Sequence, residues 1–378
     1  MDFSAIATRC FGLDVIECKA LPGYEDLNCR ITDAAGRRYV LKVAAAGSER
    51  LALEGQVAAL QHIERAAPDL PIPRVILSLD GRGVVEDGGR LIRLLSWLEG
   101  DFLAHVSPLS ALFGDLGRQL ARLDRCLAGF RHPGLDRTME WDLLEVLREC
   151  DDLEALTDPW RRVAVEHLLG EIEQSIPALL RLRRGLIHND ANDHNVLVSG
   201  DAVCGLIDFG DLLESALVGE LAVAATYVMT DTDDAVDCCA DLVAGYHEVY
   251  PLRDDELAAM YPLICARLCL SVVHSARGIA ADPQNTYIIV SERSAWQLIY
   301  RLLGTHPDHL EAKLRSACGL QAKGPRSRDR ALTDRHDRLS TALSLNHEEP
   351  LKIGRGVMQH LYDESGRQYL DLVNNVCH

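Results

Sequence analysis

The stretch GLIHNDANDHNVLV, Gly185 to Val198, puts two aspartates, three asparagines and two histidines beside short apolar runs. An apolar run that breaks into such residues reads as a strand entering a loop. A loop this dense in groups that bind metals or move protons reads as a site. Asn195 opens a new strand, NVLV, a turn follows at Ser199-Gly200-Asp201, and VCGLIDFGD returns as a second strand. Counting outward from that turn, antiparallel pairing sets Asn195 opposite the residues just before Asp208, at the open end of one hairpin. Asp190 lies in the lead-in, so two carboxylates and an amide converge. Oxygen-only groups of this kind suit Mg2+, which keeps some waters and takes further ligands from substrate phosphates. Asp190 is then left to orient and deprotonate a hydroxyl nucleophile. Together these are the parts of a phosphoryl-transfer site. His188 is read as a brace for the loop.

Working toward the N-terminus, VIECKALPGYEDLNCRITDAAGRRYVLKVA predicts three strands, with a Gly-containing loop after the first and a turn at Asp33–Gly36. A helix capped by Ser48 follows, with Leu53, Val57, Leu60 and Ile63 on one face before Pro68. PIPRVILSLDGRGVVEDGGRLIRLLSWLEG adds two or three strands, with turns at Asp80-Gly81 and Asp87-Gly88-Gly89. Residues 1–98 are therefore expected to form a β-rich nucleotide-binding lobe with one inserted helix. Lys42, in the third strand, offers a cation to phosphates. Glu54 on the helix pairs with it, and Glu49 is the fallback. The loop carrying Gly23 and Tyr24 folds over the phosphates through its backbone amides, with the acidic Glu25 and Asp26 turned away.

Toward the C-terminus the period changes. Ser107-Pro108 caps a helix marked by Leu109, Leu112, Leu116, Leu120, Leu123 and Leu127. Residues 99–318 are expected to form a mainly helical catalytic and substrate lobe. Residues 319–348 read as a polar linker. Residues 349–378 return to strand-like patterning around a turn at Glu364-Ser365-Gly366, where a lone hairpin would need a body to pack on.

Bulk properties bound the rest. The chain has 378 residues, 48% hydrophobic and 25% charged, with net charge −18. That describes a globular protein, and the acidity argues against a nucleic-acid partner. Neither a membrane-length apolar run nor an export leader is read, so no membrane partner and a cytoplasmic location are expected. The twelve cysteines are irregularly spaced with no CxxC pair, which reads as buried, reduced thiols.

His188-x-Asp190-x4-Asn195, then Ile207-Asp208-Phe209-Gly210, with Lys42 upstream, resembles the aminoglycoside phosphotransferase and choline kinase group of protein-kinase-like enzymes, over about residues 1–318. The loop Leu21–Asn28 is most similar to the hydroxylysine kinase branch. The resemblance implies an α+β, protein-kinase-like two-lobed fold: a small antiparallel β lobe and a larger, mainly α lobe. It implies Asp190 as catalytic base, Asn195 and Asp208 on Mg2+, Lys42 on the phosphates of ATP or GTP, and Glu54 paired with Lys42. It also implies a hinge around Ser96 to Leu98 that presents backbone groups to the purine. Asn189 departs from the group, which often has Gly there.

A second resemblance lies in RGVMQHLYDESGRQYLDLVNNVCH. Arg355-Gly356, Tyr362-Asp363, Gly366 and Tyr369-Leu370-Asp371 resemble the opening of class III aminotransferases, which use pyridoxal phosphate (PLP). It implies a kinase fused to a PLP-dependent phospho-lyase or transaminase. The PLP would be held in a C-terminal domain missing here, and that domain would favour a homodimer.

The expected acceptor is a small amino alcohol or hydroxy amino acid: hydroxylysine, ethanolamine or aminopropanol. Asp193, Asp211 and Glu214 are read equally as receptors for its amine and as solvated turn acids. Trp141-Asp142 reads as pocket lining or as core, and Arg277 as a receptor for a carboxylate or as a surface residue. The opposing readings are a non-catalytic, nucleotide- or metabolite-binding regulatory domain and an aminoglycoside phosphotransferase.

Overall fold

Alternating burial builds the small lobe. Cys29 and Ile31 of β2 (Leu27–Asp33) and Tyr39, Leu41 and Val43 of β3 (Arg38–Val43) turn inward. With β1 (Val15–Leu21), β4 (Val75–Ile76), β5 (Val85–Asp87) and β6 (Arg90–Ser96) they form an antiparallel sheet of order β1-β2-β3-β6-β4, with β5 also on β6. In this computed structural model the described residues are 1–23, 26–107, 110–281, 286–321, 329–330, 332–333, 335, 351–357, 359–363 and 367–371, with side chains omitted for 286–291.

The lobe has two helices where the sequence reading has one. Helix α1 (Phe3–Phe11) packs Ile6, Ala7 and Phe11 on the Ile31, Leu41 and Leu94 face of the sheet. Asp2 caps it, accepting from the Ala5 N–H at 3.0 Å, and Gly12 ends it at φ 69°, a left-handed conformation that favours glycine. Helix α2 (Arg50–Ala66) buries Leu53, Val57, Leu60 and Ile63 as the spacing predicts. Its N-cap is Glu49, without a side-chain bond, rather than Ser48.

After β7 (Asp101–Phe102), α3 (Ser110–Leu127) buries Leu112, Leu116, Leu120, Leu123 and Leu127; Pro108 and Leu109 lie outside the described residues. It crosses α7 (Ala235–Val249) at backbone contact. A Cβ on Gly117 would lie 2.0 Å from the Leu242 carbonyl oxygen, and one on Gly245 equally close to that of Gly114. Only hydrogens fit there. The large lobe adds α4 (Val146–Glu149), α5 (Pro159–Leu179), α6 (Gly219–Val228), α8 (Asp254–Ala281), α9 (Thr286–Gly304) and α10 (Pro307–Ala317). Two small sheets carry the loop at 188–195: β8 (Arg184–Ile187) with β11 (Leu213–Ala216), and β9 (Val196–Ser199) with β10 (Ala202–Leu206) and β7. This is the expected two-lobed α+β architecture.

Helix α8 corrects one reading. It is long and apolar enough to cross a membrane by length and composition, but 78% of its apolar window is buried inside the fold, so it serves as a core helix. The described cysteines are free, and burial pushes the Cys150, Cys239 and Cys265 thiols up to about 12.

The C-terminal segment is a three-stranded antiparallel sheet, β12 (Ile353–Val357), β13 (His360–Asp363) and β14 (Gln368–Leu370), rather than a lone hairpin. It docks on the helical lobe. Arg355 forms a two-pronged ion pair with Glu171 of α5 at 2.6 and 2.7 Å and donates to the Tyr261 hydroxyl of α8 at 2.8 Å. The turn Glu364–Gly366 and most of 319–348 lie outside the described residues.

Candidate active site

The hairpin register places the first pair of groups. Leu206 pairs with Val196, and the Ile207 N–H donates to the Asn195 carbonyl at 2.9 Å. Asn195 and Asp208 therefore sit just past the last rung, at the open end. Below them, Glu220 of α6, fully buried, accepts the His188 and Asn189 N–H groups at 2.5 and 3.2 Å. Asn189 adopts φ 66°, where Asn is far better tolerated than most side chains, and its amide donates to the Trp141 carbonyl at 3.3 Å. That explains why Asn can stand where the resembling group often has Gly. His188 ties the loop to the hairpin: Nδ1 accepts from the Asp190 N–H at 3.3 Å, and Nε2 donates to the Ile207 carbonyl at 3.0 Å.

Asp190 is gripped on both oxygens. Asn195 Nδ2 donates to Oδ2 at 2.7 Å and to the Asp190 carbonyl at 2.9 Å. Arg267 Nη2 donates to Oδ1 at 2.9 Å. With its amide nitrogen spent on Asp190, Asn195 keeps Oδ1 as a free acceptor among the described residues. Asp208 stands next to it in a left-handed conformation, φ 60°, with its side chain 44% exposed. Burial raises its carboxyl, but the charge and hydrogen bond of Lys42, Nζ to Oδ1 at 2.9 Å, outweigh that and hold it below the ordinary range.

The small lobe answers with a cross-strand row. Asn28, Lys42 and Arg93 are register partners on β2, β3 and β6. Cations directly opposite each other repel. Asp26 offsets this, 2.7 Å from Arg93 Nη2 and 3.9 Å from Lys42 Nζ. Arg93 also donates to Gln56, whose amide donates to the Gly210 carbonyl at 3.0 Å and so bridges the lobes.

Several expectations need correction. Glu54 is not beside Lys42. It is 45% exposed and pairs with Arg50 at 3.9 Å, and Glu49 is exposed at the N-cap. Gln56, two residues on and so about 200° around the helix, faces the site instead. The acid beside Lys42 on the small-lobe side is Asp26, which turns inward rather than away. Tyr24 and Glu25 lie outside the described residues. Gly23 has a steric reason to be glycine: a Cβ would sit 2.4 Å from the Asp26 carbonyl oxygen and 2.5 Å from Asn28 Nδ2. At the hinge, the Ser96 N–H donates to Arg74 at 2.8 Å and the Trp97 N–H to Arg38 at 3.1 Å. Both are spent on the sheet, which leaves Leu98 as the free amide donor of this hinge among the described residues.

Asp193 pairs with His194 at 3.1 Å and Glu214 with Arg131 at 3.3 Å. Arg277 donates to the Glu149 and Asp152 carbonyls at 2.8 and 2.9 Å. Asp211 faces the site, its carboxyl pushed up to about 6 by burial and then by the charge of Asp190. Sequence reasoning missed Gln56, Arg93 and, on the helical lobe, Arg267, 3% exposed, lying 4.5 Å over the Trp141 ring and 3.0 Å from the Tyr227 hydroxyl. A lone arginine within ICARLCLSVV of a core helix was the signal.

The chain matches the phosphotransferase enzyme family (APH) over residues 17–261. It is 28% identical over 331 residues to the hydroxylysine kinase of Mus musculus, covering 79% of this chain and 88% of that protein. Among solved structures, an amicoumacin kinase in complex with AMP-PNP, Ca2+ and Ami matches with TM-score 0.64 at 16% identity, over 79% of this chain and 93% of the other. A microcompartment-associated aminopropanol kinase matches with TM-score 0.60 at 18% identity, over 83% and 98%. At these identities the structures speak for the fold alone.

Proposed function

Because this chain belongs to the phosphotransferase enzyme family, we infer that it is a small-molecule kinase that transfers the γ-phosphoryl group of ATP or GTP to the hydroxyl of a small hydroxy amino acid or amino alcohol. The observation that carries this is the division of labour around Asn195. Its amide nitrogen fixes Asp190 at 2.7 Å, and its oxygen stands with the Asp208 carboxylate at the open end of the hairpin, facing Lys42. The hydroxylysine kinase likeness supports a hydroxyl acceptor on an amine-bearing molecule.

In this reading Asp190 receives the proton of the attacking hydroxyl. Held by Arg267 on one oxygen and Asn195 on the other, it cannot swing, so its alignment is set before the acceptor arrives. Lys42 exchanges Asp208 for the nucleotide phosphates, with Arg93 a second cation behind Asp26. Glycine at position 23 lets the loop backbone close tightly over that row. Leu98 offers its N–H to the purine. Asn195 Oδ1 and Asp208, oxygen donors with one exposed carboxylate, fit Mg2+, which would supply charge neutralisation at the phosphates.

The residues of β12–β14 do not fit a PLP site: Arg355 is spent on Glu171, and the Tyr369 hydroxyl donates to Asp363 at 2.9 Å. A pyridoxal-dependent phospho-lyase or transaminase attached beyond them, and a homodimer formed through it, rest on the sequence resemblance alone.

The test incubates the protein with ATP or GTP, Mg2+ and a panel of amino alcohols and hydroxy amino acids, and follows phosphate-ester formation by 31P NMR. Product that disappears in Asp190→Asn supports the kinase. Nucleotide binding without product from any acceptor favours the regulatory domain instead.

A further inference from the structure

We propose that Arg267 is the receptor for a carboxylate on the acceptor, so that the enzyme takes a hydroxy amino acid and discriminates against the amine that lacks only that carboxylate. This narrows the kinase reading above and rests on it.

Position is the first argument. Lys42 and Arg93 belong to the sheet row that faces Asp26 and Asp208, the side of the nucleotide. Arg267 comes from α8 of the helical lobe and meets Asp190 from the other direction, 2.9 Å from Oδ1. In-line transfer sets the attacking oxygen opposite the leaving nucleotide, so the acceptor and its anion approach from the side of Asp190 that Arg267 occupies.

Unmet hydrogen-bonding capacity is the second. Arg267 is 3% exposed, yet its Nε and Nη1 are buried without a partner, and it is the only described residue with two such atoms. Nη2 serves Asp190 and the Tyr227 hydroxyl. Other arginines of this lobe are spent on structure. Arg183 gives Nε and Nη2 to Glu256 at 2.9 Å each, and Arg277 holds two backbone carbonyls. A buried charged donor left unpaired is costly, so a site that keeps two of them has a use for them. The spare Nε and Nη1 lie on different edges of the guanidinium, with Nη2 between them already spent, so each offers a carboxylate oxygen a single charge-assisted hydrogen bond.

The surroundings hold the guanidinium without consuming Nε or Nη1. The Trp141 and Tyr227 rings lie 4.5 and 5.6 Å from the guanidinium carbon, contacts that use the cation's face rather than its N–H groups. His274, two turns along α8, lies tilted against Trp141 with ring centres 4.7 Å apart, and its Nε2 is also buried without a partner. Two polar groups on one helix face thus converge on the same aromatic ring, each with capacity in reserve. Asp211, on the loop after Asp208, is placed to meet the ammonium of an amino acid.

The test uses acceptors that differ only by the carboxylate: homoserine against 3-aminopropan-1-ol, threonine against 1-aminopropan-2-ol, and hydroxylysine against its decarboxylated amine. With the native enzyme, kcat/KM for the best acid is expected to exceed that for its amine by about 100-fold or more, as for sites built to bond a polar group. Arg267→Lys, which keeps the charge and loses the Nε and Nη1 donors, should lower kcat for both acceptors through its hold on Asp190 but raise KM more for the acid than for the amine, so that the kcat/KM ratio falls by about tenfold or more. A preference for the amine, or equal turnover of a pair, overturns the carboxylate receptor and leaves the kinase standing. So does a folded Arg267→Lys enzyme with an unaltered ratio. Phosphorylation of none of the six compounds by an enzyme that binds ATP overturns the kinase reading together with this inference. Should the variant fail to fold, the native pairs decide alone.

Discussion

Two cations meet two carboxylates in this cleft, and they do so in opposite ways. On the nucleotide side, Lys42 crosses between the lobes to Asp208, a carboxylate 44% exposed. On the acceptor side, Arg267 and Asp190 belong to one lobe, and their side chains are 3% and 21% exposed. In the proposed kinase the first pair is an exchangeable contact, in which incoming phosphates would take the cation and the carboxylate would be open to a metal. The second is held from within one lobe, with Arg267 on one oxygen and Asn195 on the other. A phosphoryl-transfer site needs both kinds, because one face must receive a large polyanion and the other must hold a base still.

Breaking the rigid side should have the largest effect. Asp190→Asn is expected to lower kcat by about 1,000-fold, the range of general-base catalysis, with nucleotide affinity nearly unchanged. Rapid-quench turnover and calorimetric titration of ATP check the two halves. More than a tenth of native turnover would remove Asp190 from the proton transfer.

The next largest effect tests whether the nucleotide side is truly neutralised from within. Asp26 and Arg93 have side chains only 17% and 7% exposed. Asp26→Asn leaves Arg93 without its charge partner and should cost about 3 kcal/mol of stability, as breaking a buried pair does. Asp26→Asn combined with Arg93→Met should recover most of it, by denaturant unfolding. Full additivity of the two losses would mean that the residues do not act as a pair.

A smaller effect separates the two sides kinetically. Lys42→Met should raise KM for the nucleotide by about 10- to 100-fold, the worth of a charged hydrogen bond, and leave KM for the acceptor within about twofold. Equal rises in both would blur the division between the sides.

What could be read beforehand follows the range of the interactions. Asp190, Asn195 and Asp208 were legible because a short hairpin with a tight turn leaves one register, and register sets which residues share its open end. The apolar face of α2 was legible too, yet the acid on it was misassigned. Chemical type pointed to Glu54, while the spacing of Leu53, Val57 and Leu60 put Gln56 inward. Asp26 was hidden because its partner Arg93 lies 67 residues away, and nothing local signals an acid neutralised from another strand. Arg267 was readable as a lone charge in an apolar helix and was passed over for the more exposed Arg277. Helix α1 had its Asp2 cap and Gly12 stop in plain view. The docking of β12–β14 depended on Arg355 meeting Glu171, which no local pattern encodes.

The smallest effect concerns how the rigid side is supported, and it gives the two sides opposite pH dependence. Beneath the loop that carries Asp190, Glu220 holds the His188 and Asn189 N–H groups. Asp124, 1% exposed, accepts from the Tyr246 hydroxyl at 2.6 Å. Asp124 Oδ1 and Glu220 Oε1 are buried without partners. Burial, then the charge of Glu220, pushes the Asp124 carboxyl well above its ordinary value. A carboxyl raised in the fold takes up a proton on folding, so its contribution to stability falls as pH rises from the ordinary aspartate range toward the folded value. Asp208 is shifted the other way, and what it contributes is lost only as pH falls below that range. Asp124→Asn keeps a neutral side chain that can accept from Tyr246 and donate toward Glu220, so it should leave the acid limb of the stability curve unchanged and flatten the alkaline limb. Denaturant unfolding at pH 5 and pH 9 checks this: the difference between variant and native should shift in the variant's favour by about 1 kcal/mol or more from the lower pH to the higher, the free energy of roughly one pKa unit. A parallel loss at both pH values would mean that Asp124 is ionised in the fold and that the loop rests on a charge rather than on a shared proton.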